Sequence, residues 1–143
     1  MKLSRKNFKL MESLITNPNI ANVVRKAKRK HKFDKVFYST MTLLAFFGLI
    51  KLYNQFMSGL LADPNAFAKY VASWQFKTQI VGFILILAYG VVTLIVAYET
   101  IVSTPLNELT NREIEIIRNH AANLNFEISD KNTFGFYEIK KRA

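Results

Sequence analysis

The sequence predicts a mostly α membrane protein. Its centre is a two-span transmembrane helical hairpin, preceded by basic amphipathic N-terminal helices and followed by a small cytoplasmic C-terminal α/β-hairpin tail. Three observations carry this. Ile80 to Tyr98 is nineteen consecutive residues without a charge, flanked by Lys77 and Glu99. As a helix it reaches about 28 Å, close to the roughly 30 Å of bilayer hydrocarbon. A second apolar run occupies 36–57, and eleven of the 20 Lys and Arg residues fall within 1–35 beside only Glu12 and Asp34.

Residues 1–35 form a basic amphipathic segment. Leu3, Phe8, Leu10, Met11, Leu14 and Ile15 recur at helical spacing. Asn17-Pro18 then breaks the run, with Asn17 as N-cap and Pro18 at the first helical position of a second short helix. That helix carries Ile20, Val23, Val24 and Ala27 on one side. Its other side presents Arg25, Lys26, Lys28, Arg29, Lys30, Lys32 and Lys35. Beside an apolar span, such a face is expected to hold the anionic headgroups of a lipid bilayer. Phe33 is the only aromatic residue in the basic block, so a base-stacking platform is missing and nucleic acid is not the expected partner.

The first span, 36–57, is interrupted by Lys51. A Lys at mid-bilayer costs about 2.5–3.5 kcal/mol. Lys51 lies in the far half, about 22 Å along the helix, where it either snorkels outward or meets an acidic group on a partner chain within the membrane. The connector, 58–79, offers Asp63 as N-cap and Pro64 at the first helical position of an aromatic interfacial helix carrying Phe67, Tyr70, Val71 and Trp74. The second span, 80–98, presents Gly82, Gly90, Thr93 and Ala97, and the first span offers Ala45 and Gly48 at matching depth. Small residues let helices approach closely in lipid, within a hairpin or between copies of the chain.

Residues 99–143 are polar again. Thr104-Pro105 suggests another cap, and Thr110 with Glu113 fits a capping box ahead of a helix bearing Ile114, Ile117, Ala121 and Leu124. Phe126–Ser129 and Thr133–Ile139 then read as a β-hairpin around a polar turn. A lone hairpin is marginal in water. Phe134, Phe136, Tyr137 and Ile139 are therefore expected to face a partner.

Cations set the topology. The connector has only Lys69 and Lys77, whereas the tail after Tyr98 has six Lys and Arg. The positive-inside rule places both termini in the cytoplasm, in a bacterial inner membrane, with the connector outside. No secretory signal peptide is expected, since the first long apolar run starts near Val36.

Catalytic chemistry finds little foothold. The chain has no cysteine, its five glycines are scattered, His31 lies among seven cations that disfavour a metal, and His120 stands seven and five residues from Glu113 and Glu115, not at the i+3 or i+4 spacing that would pair them. The expectation is no enzyme, no catalytic residue, no cofactor and no metal. Leu109-Thr-Asn-Arg-Glu-Ile-Glu-Ile-Ile-Arg118 resembles the opening helix of LuxR-type helix-turn-helix regulators over ten residues. The recognition helix that a DNA-binding role requires does not follow it.

The expected function is that of a non-catalytic two-pass integral membrane subunit that scaffolds or anchors a larger assembly, such as a secretion or envelope complex, with other membrane protein subunits as partners. The alternative resembles two-span phage holins: a homo-oligomeric pore-former that permeabilises the membrane.

Overall fold

A computed structural model describes residues 2–142. The chain is mostly helical: α1 (Lys2–Leu14), α2 (Pro18–Ala62), α3 (Pro64–Val71), α4 (Trp74–Val102), a 3-10 turn (Pro105–Glu108), α5 (Asn111–Asn123), then β1 (Phe126–Ile128) and β2 (Ile139–Lys141). It divides into two compact units, one made of Met1–Lys35 with Tyr98–Ala143 and the other of Val36–Ala97.

The break at Asn17-Pro18 is where the sequence places it. Asn17 Oδ1 accepts from the Asn19 backbone N–H at 2.9 Å, and Pro18 opens α2. The short second helix expected to stop before the apolar run does not stop. α2 continues for 45 residues to Ala62. No proline interrupts it after Pro18, and its Lys, Ala and Leu residues are strong helix formers, so nothing local ends the helix.

The first unit owns a true core. Phe8 and Met11 from α1, Ile20 and Val24 from α2, Leu106, Ile114, Ile117 and Ala121 from the 3-10 turn and α5, and Phe126, Ile128, Tyr137 and Ile139 pack into one buried cluster. The apolar faces of the two helical stretches in 1–35 are therefore spent on this core. Helix α5 starts as expected. Glu113 N–H donates to Thr110 Oγ1 at 3.4 Å, and Thr110 N–H donates back to Glu113 Oε2 at 2.9 Å. After Asn123 the chain turns through Asn125, whose positive φ of 63° is one that Asn tolerates better than most residues.

The expected hairpin register is corrected. β1 pairs antiparallel with Ile139–Lys141, matching Phe126 to Lys141 and Ile128 to Ile139, so the second strand lies further along than the expected 133–139 and shares only Ile139 with it, with Ser129 N–H donating to Glu138 O at 3.0 Å just beyond. Asn132 causes this. Its Oδ1 accepts from the Phe134 and Phe136 N–H groups, both at 3.0 Å, and Gly135 N–H donates to Asn132 O at 2.8 Å. Those amides are consumed in a local turn, completed by Gly135 at φ 77°, and are lost to any ladder.

A two-stranded sheet leaves a bare edge, and α1 covers it. Asn7 Nδ2 donates to Ile139 O at 2.8 Å, and Ile139 N–H donates to Ser4 Oγ at 3.3 Å. Ser4 and Asn7 stand one helical turn apart, so one face of α1 satisfies both backbone groups of an edge residue.

The second unit is built on different lines. α2 and α4 are both long and apolar enough to cross a membrane, and only 6% and 11% of their most apolar stretches are buried. Asp63 caps α3 as expected, accepting from Asn65 and Ala66 N–H at 3.0 and 3.2 Å. Phe56, Phe67, Tyr70 and Phe76 gather into an aromatic cluster with centroids 5.0 to 6.2 Å apart, and Tyr70 hydrogen-bonds Gln79. Trp74, expected in the α3 stripe, instead begins α4 and is 80% exposed. The helix reaches six residues ahead of Ile80 because Thr78 and Gln79 offer no breaker and Ser73 supplies a start.

Candidate functional site

The strongest concentration of chemistry lies in the first unit. Arg25, Lys28, Arg29, Lys32 and Lys35 follow the i, i+3, i+4, i+7 rule and so share one face of α2. Arg5 and Lys9 share a face of α1 by the same spacing. Together these seven cations line a groove of about 930 Å³ that contains a single carboxylate, Glu12. Its apolar wall includes Phe8, Ile15, Val24 and Ile101, and Ser103, Thr104 and Pro105 complete it.

Glu12 is already engaged, 2.7 Å from Lys28 Nζ. Among the described residues, Arg5, Lys9, Arg25, Arg29, Lys32 and Lys35 form no ion pair, and each is exposed. The groove is an electropositive trough with an apolar floor, a combination suited to an anionic group attached to something greasy.

Thr104 has a place here that the sequence reading did not assign. It occupies the N-cap position before Pro105 with extended backbone, yet its side chain makes no capping bond. Thr104 is 3% exposed, and its Oγ1 has no hydrogen-bond partner among the described residues. A buried unpaired hydroxyl costs about 1–3 kcal/mol.

A second cluster shares His31 with the groove. Glu108 accepts from two sides: Lys30 Nζ is 3.3 Å from Oε2 and His31 Nδ1 is 3.5 Å from Oε1. Both His31 and Glu108 side chains are largely shielded. Burial, and then the Glu108 carboxylate facing it, hold the Asp34 carboxyl above its ordinary range, while Lys30 and His31 pull it back. Glu113 moves the other way, held below its usual range chiefly by the Thr110 backbone N–H. The cluster ties α2 to the 3-10 turn. Among the described residues no group of three His, Asp or Glu side chains converges as a metal site would require.

The basic residues singled out from sequence thus divide. Arg25, Lys28, Arg29, Lys32 and Lys35 line the groove; Lys26 and Lys30 do not, and Lys30 is committed to Glu108. The sequence reading missed Arg5, Lys9, Thr104 and Glu108. Spacing alone offered the first two, and the Thr-Pro cap signal pointed at the third without its purpose.

Among the tail residues expected to face a partner, Tyr137 and Ile139 are buried at 7% and 1% exposure in the unit's own core. This corrects the expectation for those two. Phe136 is half-buried, and Phe134 is 77% exposed. Asn107 holds the loop in place, donating to Gly135 O at 3.0 Å and accepting from Tyr137 N–H at 3.3 Å.

In the second unit the small residues are also sorted. A Cβ on Gly90 would stand 3.2 Å from the Ala45 Cβ, tighter than ordinary contact, so this crossing needs glycine or a shift of its neighbour. Gly48 faces Ile86, and Ala45, Thr93 and Ala97 are buried. Gly82 has nothing within 4 Å of its Cβ direction and lies outside the seam. Lys51 is exposed and has no ion pair among the described residues. No protein-family model matches the sequence, and neither does any curated protein or solved structure.

Proposed function

We propose that the chain is a two-pass integral membrane protein of the inner membrane, with both flanking segments on the cytoplasmic side, and that it serves as a non-catalytic anchor or scaffold for other membrane subunits. One observation carries the membrane part of this reading. Large apolar side chains such as Phe46, Phe47, Leu85, Leu94 and Ile95 are all more than half exposed, on helices that meet the length of a bilayer. Soluble monomers rarely expose apolar area on that scale, and a core helix of a soluble protein would be buried.

The shared core supports the topology. Phe8, Met11, Ile20 and Val24 pack with Ile117, Phe126 and Ile139, so the segments before and after the two apolar stretches fold as one body. If those stretches cross a membrane, the flanks must lie on one side, in agreement with an even number of crossings. The excess of cations in those flanks selects the cytoplasmic face. The Ala45–Gly90 contact favours anchor over pore, because the small-residue face is used within the chain and is less available to a homo-oligomer.

Membrane fractionation tests the first part: the chain should resist alkaline carbonate extraction. Purification in mild detergent tests the second, since an anchor should bring defined protein partners with it. A monodisperse chain without partners contradicts the scaffold, and collapse of membrane potential on expression would restore the holin-like pore.

A further inference from the structure

We infer that the groove between α1 and the first turns of α2 is a discrete binding site for the phosphate headgroup of an anionic phospholipid. This inference rests on the membrane reading and deepens it. A diffuse basic surface would use every cation of the 25–35 block alike. The groove does not: it selects Arg25, Lys28, Arg29, Lys32 and Lys35 by helical face, adds Arg5 and Lys9 from a separate helix, and leaves Lys26 and Lys30 outside.

Three features specify the ligand. First, six of the seven cations lack a carboxylate partner among the described residues, so the site carries a standing positive field that one or two phosphate charges would complement. Second, the wall formed by Phe8, Ile15, Val24 and Ile101 is apolar. A free phosphate has no use for such a wall, whereas the glycerol and upper acyl carbons of a lipid do. Third, Thr104 brings a buried hydroxyl without a partner to the same groove, a donor that a phosphate oxygen would satisfy after a small adjustment. The groove's sequence neighbours agree with this source. Lys35 directly precedes Val36, where the first apolar run begins, and Ile101 follows closely on Tyr98, where the second ends. Both are positions at headgroup level.

The test uses the full chain purified in neutral detergent micelles, with thermal unfolding followed as phosphatidylglycerol or phosphatidylcholine is added. Phosphatidylglycerol should stabilise the protein saturably and phosphatidylcholine should not. The double variant Arg29→Gln/Lys32→Gln should lose about twenty-fivefold in apparent lipid affinity, at roughly fivefold per cation. Lys26→Gln/Lys30→Gln removes the same charge outside the groove lining and should lose less than about threefold, as expected for exposed charges that solvent screens. Circular dichroism confirms that both variants are folded before the titration is read. Equal losses in the two variants would overturn the site, as would equal stabilisation by the two lipids. Equal stabilisation by soluble glycerol phosphate would overturn the lipid assignment. An inserted chain indifferent to phosphatidylglycerol defeats this inference alone. A chain recovered in the soluble fraction defeats the membrane reading and this inference with it.

Discussion

The two units obey opposite rules of burial, and helix α2 takes part in both. Along 18–35 it buries Ile20, Val24 and Ala27 and turns its lysines and arginines outward. Along 36–61 it exposes Phe37, Leu43, Leu44, Phe46 and Phe47 and buries Ala45. The first pattern is what water selects. In the second, the large residues point out and the smallest ones meet the neighbouring helix, as expected where the surroundings are as apolar as leucine and only close packing draws helices together. One continuous helix thus changes its burial pattern near Lys35, as the proposed membrane reading expects.

The comparison is broken most severely in the folded unit. Phe126 is 1% exposed within a core that joins four helical segments and the sheet. Phe126→Ala should cost about 3–5 kcal/mol, seen as loss of the cooperative thermal transition while the apolar helices persist by circular dichroism. Next comes Ile84→Arg. Ile84 is 56% exposed, so a water-facing site would accept arginine within about 0.5 kcal/mol, whereas a bilayer charges about 2.5–3.5 kcal/mol at mid-span. Reduced recovery in the membrane fraction is the expected outcome, and unchanged stability and yield in aqueous buffer would oppose it.

A smaller effect sharpens the account of the sheet edge. Asn7→Ala removes the donor to Ile139 O and should destabilise the first unit by about 1–2 kcal/mol, the cost of a buried carbonyl left without its partner. Faster amide exchange in β2 reads this out. The smallest effect has the opposite sign. A carboxyl held above its ordinary range binds more protons folded than unfolded, so Asp34 contributes most below the carboxylate range and takes stability away as pH rises through it. Asp34→Asn should therefore raise the melting temperature at pH 7 by a small amount. The gain should vanish below about pH 3, where the wild-type carboxyl is protonated in both states.

The sequence was most legible where structure is decided within four residues. Asn17-Pro18, Asp63-Pro64 and Thr110 with Glu113 each start a helix because the cap and the orphan N–H groups are neighbours in the chain. The apolar lengths were equally plain. The second strand was not. Phe134, Phe136 and Glu138 alternate as a strand would, but the Asn132 side chain claims the backbone between them, while Ile139–Lys141 carries no strand signature of its own. What stabilises that strand is Ser4 and Asn7, more than 130 residues away. The meeting of His31 and Asp34 with Glu108 is hidden for the same reason, since it depends on the fold of the unit and not on spacing. Half of the groove was readable as a helical face on α2. The other half needed the position of α1.

The central claim is that the middle of the chain crosses a membrane twice while its flanks fold together on one side. Because the wild-type sequence has no cysteine, single-cysteine labelling with an impermeant maleimide in intact cells tests it directly. Asn22→Cys, Ala66→Cys and Lys140→Cys all fall at exposed positions. Label on Ala66→Cys alone, with the other two reacting only after permeabilisation, is the result predicted. Label on just one of Asn22→Cys and Lys140→Cys from outside, or all three reacting alike on a chain released into the soluble fraction, would contradict it.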